Sequence, residues 1–270
     1  MPAVPTTLAY ATFTAAANEA AASRLLAGIH FNDDNSVGLA LGDLAGKQAW
    51  ARAQYLFDGG LAISSSSYRA SETQILSWTH TVDALSNRLL VVGLATTDDD
   101  SYAIRVNYGG VALTRLGMQN GPLNDNRVEL WYMIAPPVGT ATLTVKLSNN
   151  NDIVAGAMNF TGVHQTVPFG TLRAAANSTT AACVTLANES APLVATMLAV
   201  NSDAGFVQPG AGQSHRWNAV SDTTGPSGAY DIIGTGMVGP GAPMATICNQ
   251  LQVGKRWATV AVPLKPAQLP

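Results

Sequence analysis

Leu89-Leu90-Val91-Val92-Gly93-Leu94 and Leu193-Val194-Ala195-Thr196-Met197-Leu198-Ala199-Val200 decide the fold. Apolar at nearly every position and bounded by polar or turn residues, each reads as a strand buried on both faces. Around them, short runs rich in Val, Leu, Thr, Tyr and Trp alternate with turn signals such as Tyr108-Gly109-Gly110 and Pro136-Pro137-Val138-Gly139. Strands are expected over residues 73–80, 88–95, 103–108, 111–116, 127–135, 141–147, 153–160, 182–186, 193–200, 215–220, 230–235, 245–251 and 257–264. Many short strands with no helical pattern between them predict a mainly β chain, an antiparallel jelly-roll-like β-sandwich. No repeat of about 20 to 50 residues is visible, which excludes solenoids and propellers.

The texture changes upstream of Asp58-Gly59-Gly60. From Thr12 to Ala27 the chain is rich in helix formers, and Gly28 supplies a stop. The cluster Asn32-Asp33-Asp34-Asn35-Ser36 offers N-caps for a second helix over residues 37–57, with Leu41, Leu44, Ala45 and Ala49 at helical spacing. The organisation expected is a short helical hairpin (1–58), a polar linker (59–67, containing Ser64–Ser67) and a β-sandwich domain (68–267). Two helices alone make no stable domain and must pack against something. Charged residues are only 11% of the 270, the net charge is −3, and nothing in the chain offers a basic field for nucleic acid. No apolar stretch is long enough for a helical membrane span. Met1-Pro2-Ala3-Val4-Pro5-Thr6-Thr7 carries no basic residue, so an ordinary secretory signal is not expected there.

One stretch carries chemistry: Ser23-Arg24-Leu25-Leu26-Ala27-Gly28-Ile29-His30-Phe31-Asn32-Asp33-Asp34. Arg24 presents a planar fork of donors suited to phosphate or vanadate oxygens. A nitrogen of His30 can attack phosphorus or ligate vanadium, and Asp34 can hold the other ring nitrogen. The bland alternative is a helix end with its cap.

Ser-Arg, five residues, His, three residues, Asp resembles the third signature of the type 2 phosphatidic acid phosphatase and vanadium haloperoxidase superfamily. The flanking Phe13-Thr14-Ala15-Ala16-Ala17-Asn18-Glu19 and Gly38-Leu39-Ala40-Leu41-Gly42 are similar to its bacterial haloperoxidase-related branch. The resemblance implies that His30 is the phosphate nucleophile or vanadate ligand, that Arg24 neutralises the equatorial oxygens, and that Asp34 orients the imidazole. It also implies two further signatures, and here the chain departs from the pattern. There is no Arg-Pro, and the sole echo of Pro-Ser-Gly-His is Pro226-Ser227-Gly228-Ala229, in the β region and without its histidine. Stabilising a multiply charged centre needs several preorganised cations and an acid/base. One Arg and one His are about half of that charge, so no turnover is expected from this chain alone, and no cofactor. Vanadate is the cofactor only if the missing signatures come from upstream or from a partner subunit.

In the β region, His80, His164 and His215 have no second ligand at metal spacing. Oxygen-rich loops containing Asp98, Asp99, Asp100, Asn150 and Asp152 are candidates for calcium, against plain turn chemistry. Trp131, Trp217 and Trp257 are either a sugar-stacking platform or core. Cys183 and Cys248 can form one disulfide in an oxidising compartment. Trp78-Thr79-His80-Thr81-Val82, Asn87–Gly93, Tyr108–Thr114, Val128–Tyr132 and Phe160–Val163 resemble an uncharacterised β-sandwich module of secreted bacterial proteins, which brings no activity with it. The expectation is an extracellular or cell-surface binding, adhesion or assembly protein carrying a catalytically incomplete haloperoxidase-like remnant. Its partners are then a carbohydrate or surface ligand, or further copies of itself. Two alternatives stand beside it: the C-terminal part or subunit of a vanadium-dependent haloperoxidase or acid phosphatase, and a subunit of a self-assembling filament or shell.

Overall fold

A computed structural model describes residues 7–57, 60–98, 100–186, 192–201, 205–221, 232–239 and 246–267. The chain forms two compact units, one helical up to Phe57 and one β from Asp58 to Gln268.

The helical unit holds α1 (Phe13–Leu26) and α2 (Asn32–Phe57). The hydroxyl of Thr12 caps α1 by accepting the Ala15 N–H at 3.0 Å. At the other end Gly28 takes φ +67°, and its N–H and that of Ile29 bond back to the carbonyls of Leu25 and Arg24. This is a Schellman turn, which a residue with a Cβ enters only with strain. The second helix starts at Asn32, five residues before the expected position, because the polar cluster forms its first turns. Asp34 Oδ2 accepts the Phe31 N–H at 3.1 Å there.

The β unit contains fifteen described strands in three antiparallel sheets: β1 (Ala62–Val82), β2 (Leu89–Thr97), β3 (Ala103–Tyr108), β4 (Val111–Ala112), β5 (Thr114–Asn120), β6 (Asn126–Ile134), β7 (Gly139–Thr161), β8 (Arg173–Asn177), β9 (Ala181–Thr185), β10 (Leu193–Asn201), β11 (Val207–Pro209), β12 (Ser214–Val220), β13 (Ile232–Gly239), β14 (Thr246–Leu251) and β15 (Trp257–Leu264). The sheet orders are β4-β3-β7-β2-β6-β5 with β1 beside β7, then β12-β13-β10-β15-β8, and β11-β14-β9.

Ser64–Ser67 belong to β1 and are no linker. They pair with β7, and their hydroxyls find partners in Asn159, Thr81 and His80. Likewise Asn149, Asn150 and Asn151 do not interrupt β7, which runs through them as one strand. Its residues 153–160 pair with β2, and residues 143–147 pair with β3. The pairing of the two long strands shifts register between Thr73 and Ile75, opposite residues 147–150, which divides each into two halves. Leu90, Val92, Leu94, Ile153 and Ala155 meet Val106, Tyr108, Leu143, Val145 and Leu147 in one core.

Taken this way, the β unit is two jelly rolls in tandem. In the first the sheets run β5-β6-β2-β7-β1 and β3-β7-β1; in the second they run β12-β13-β10-β15-β8 and β11-β14-β9. In the second, the first strand (β8) lies beside the last (β15), the last beside the third (β10), and the third beside the sixth (β13), the wound order of a jelly roll. The first follows the same order, β1-β7-β2-β6, when the halves of β1 and β7 count as separate strands and β4 with β5 as one. The two larger sheets pack face to face over Leu89, Val91, Met158 and Phe160 from one side and Ala195, Met197, Val260 and Leu264 from the other. Gly93 and Met197 are the fifth residues of β2 and β10, two strands of nine residues each. A Cβ on Gly93 would lie 2.7 Å from Met197 Sδ. The middle positions of these two strands therefore pack against each other. A repeat of this size, each roll covering more than a third of the chain, lies outside the short periods at which solenoids and propellers repeat.

Candidate functional site

The Schellman turn returns the chain so that His30 meets the last turn of α1. Arg24 Nε donates to His30 Nε2 at 3.0 Å, and His30 Nδ1 lies 3.0 Å from Asn35 Oδ1. Asn35 Nδ2 donates to the Ala21 carbonyl at 2.6 Å, tying α2 to α1. These groups open onto a groove of about 550 Å³ between the helices. Its other polar residues are Thr14, Asn18, Asp34 and Asp43; the rest of the wall is apolar, with Phe13 and Leu39 the largest members.

Sequence reasoning placed Arg24, His30 and Asp34 together. The structure joins Arg24 to His30 but gives the orienting position to Asn35, while the Asp34 carboxylate caps α2. The reason is where α2 begins. With the helix starting at Asn32, Asp34 lies in the first turn beside unpaired N–H groups, and Asn35, one residue further round, faces α1. No sequence signal distinguishes the two, since Asp34 has the expected spacing and Asn35 follows directly.

The charges in the groove nearly cancel. Among the described residues that line it, Arg24 is the only Arg or Lys and His30 the only imidazole, and Asp34 and Asp43 oppose them. Asp43 also pairs with Lys47 at 2.7 Å. Pro226–Ala229 lie outside the described residues.

The remaining candidates are structural among the described residues. His164 Nδ1 accepts the N–H groups of Thr166 and Val167 and organises a loop. His215 bonds Asn249 Oδ1 at 2.8 Å, and burial lowers its pKa. Burial likewise pushes His80 down to about 4, against a small opposing pull from Asp83. His80 Nδ1 lies 2.8 Å from Ser67 Oγ, and Trp78 Nε1 donates to the same oxygen; Nε2 is buried with no hydrogen-bond partner among the described residues. Trp131, Trp217 and Trp257 are buried, so they serve as core and offer no sugar platform. Trp131 Nε1 donates to the buried Glu129, which also takes Arg127 Nε at 2.8 Å and the Ala103 N–H at 3.2 Å.

The oxygen-rich loops are spread among separate contacts. Asp98 is left-handed at φ +63°, the Asp100 carbonyl accepts Ser148 Oγ, Asn150 donates to Glu72, and the Asp152 N–H donates to Asn151. Asp99 lies outside the described residues. Among the described residues no group of three or more His, Cys, Asp or Glu is placed to hold a metal ion. A second, polar pocket of about 390 Å³ is lined by Asp125, Ser178, Asn201, Gly254, Lys255 and Arg256, with Arg256 bound to Asp125 at 2.9 Å. Cys183 and Cys248 face each other across β9 and β14 and are joined in a disulfide.

Fold and site thus define a two-part protein, a hydrogen-bonded Arg–His corner on a helical hairpin followed by a β-sandwich unit. The family described as the VCPO second helical-bundle domain matches residues 1–59, so the N-terminal part is vanadium haloperoxidase-like. No match among curated proteins is found for the chain.

Proposed function

We propose that this chain is an extracellular binding or assembly protein whose paired jelly rolls form the working surface. In this reading its hairpin is a catalytically incomplete part of a haloperoxidase-type bundle. The charge balance of the groove carries the reading. Holding a phosphoryl or peroxovanadate centre requires several converging cations, and the groove sets one guanidinium and one imidazole against two carboxylates. The Cys183–Cys248 disulfide supports an oxidising, extracellular setting. The test is bromide oxidation with orthovanadate and peroxide, and phosphatase assay, on the pure folded chain. No turnover is expected; turnover that His30→Ala abolishes would overturn the reading. Light scattering tests the assembly arm, where concentration-dependent multimers are expected, and a glycan array with calcium and with chelator tests recognition.

A second reading is favoured by one observation. Phe13 is 97% exposed, Leu26 90% and Phe31 81%, and Leu41, Leu44 and Trp50 are also largely exposed. Helices that present this much apolar surface are built to be covered. If further bundle helices cover them and bring the missing basic residues, the chain is a part or subunit of a vanadium-dependent haloperoxidase or acid phosphatase, with His30 and Arg24 as its vanadate or phosphate ligands.

A further inference from the structure

We infer that Asn35 is the positioning residue that fixes His30 in the Nδ1–H tautomer, with the Nε2 lone pair turned to Arg24 and the groove. The argument begins at a group that cannot change roles. The Ala21 carbonyl only accepts, so the side-chain atom of Asn35 that reaches it at 2.6 Å must be the amide nitrogen. The other end of the amide, the carbonyl oxygen, then faces His30 Nδ1 at 3.0 Å, and an oxygen there demands a donor. Nδ1 therefore carries the proton.

The far side of the ring agrees with that assignment, but Arg24 is exposed and can turn away, so Asn35 is the group that holds the tautomer. Arg24 Nε can only donate, so Nε2, 3.0 Å away, must accept. A proton on Nε2 would set two donors against each other. Backbone carbonyl, amide, imidazole and guanidinium thus form one chain of hydrogen bonds with a single consistent direction. Asn35 is the only member of it that is buried, and it spans both helices.

This changes what the hairpin can offer. An aspartate at Nδ1 would bring a negative charge and make the imidazole more basic, whereas an amide fixes the tautomer without that charge. Asp34, released from the role, caps α2 through the Phe31 N–H. An electrophilic oxyanion centre that approaches Nε2 must first displace the Arg24 N–H, which then turns to the incoming oxygens. Only this last step rests on reading the hairpin as an oxyanion corner; the tautomer belongs to the unliganded chain.

The experiment is long-range proton–nitrogen correlation NMR on the full chain, above the titration range of histidine. His30 is assigned by loss of its signals in His30→Ala. The wild type is expected to show a protonated-type Nδ1 and a lone-pair-type Nε2. Asn35→Ala should shift the ring towards the Nε2–H form that free histidine favours. Asn35→Asp, which keeps an acceptor while losing the bond to Ala21, should retain Nδ1–H, as should Asp34→Ala and Arg24→Ala. A wild-type Nε2–H tautomer, no change in Asn35→Ala, or an Asp34→Ala shift as large as that of Asn35→Ala would overturn the assignment. None of these outcomes depends on whether the chain binds vanadate or turns over substrate.

Discussion

The two jelly rolls share one winding and fill it with opposite choices. Where β5 meets β6, Gly117 faces Leu130; at the corresponding rung of the second roll, Trp217 faces Gly236. The space above Gly117 is taken by Leu172, whereas the Trp217 ring fills the space over Gly156 and Gly236, so close that a Cβ on either would lie within 2.4 Å of it. On the smaller sheets, Ser77 and Thr144 face each other with their oxygens 3.1 Å apart, and across β9 and β14, which stand in the same places in the second roll, the facing pair Cys183–Cys248 is a disulfide. Topology fixes which positions must be filled and from which side. It leaves open whether a ring, a leucine, a hydroxyl pair or a covalent bond does so.

The sharpest way to break the comparison is to empty the second roll's rung. Trp217→Ala should cost about 3–5 kcal/mol, and Leu172→Ala, removing a half-buried side chain, should cost less. Urea unfolding of both variants checks the order, and equal costs would show that the two halves do not share one buried interface. The covalent difference comes next. The disulfide closes a loop of 65 residues, and reducing it should lower stability by about 2–4 kcal/mol. Because hydroxyls alone serve the corresponding pair, the reduced chain should keep its strand content by circular dichroism.

Acid should distinguish the rolls through His80, 2% exposed in the core of the first. Its pKa falls from 6.5 unfolded to about 4 folded, so the unfolded chain binds the proton first. His80 therefore contributes no penalty above pH 6.5; the penalty grows as pH falls from 6.5 to about 4 and is complete below that, reaching about 3 kcal/mol at most. The difference in urea midpoint between wild type and His80→Gln, followed over that pH window, measures it, and a flat difference would refute it. The smallest expected effect is Ser77→Ala, about 0.5–1 kcal/mol for an exposed cross-strand hydroxyl pair.

Most strands were legible because apolar alternation and Gly or Pro turns mark them directly. β3 and β15 match the bounds read from the sequence, and β10 differs by one residue. Ser64–Ser67 and β8 were not, since Ser and Ala have low strand propensity and are held there by pairing with β7 and β15. The shared winding of the two rolls was not legible, because corresponding positions carry unlike residues, as at Gly117–Leu130 and Trp217–Gly236. In the hairpin, Arg24 and His30 were legible from residue type and spacing. Asn35 was not, because its role depends on the exact residue at which α2 begins.

The bonds from His30 to Arg24 and to Asn35 span six and five residues of sequence. A constellation closed over such short distances requires no long loop to close, in contrast to the distant strand pairings of the jelly rolls, although the helices that carry it need a covering surface to stay folded. The imidazole corner is in that sense portable: its geometry is written entirely within one hairpin and travels with that hairpin to whatever it is joined.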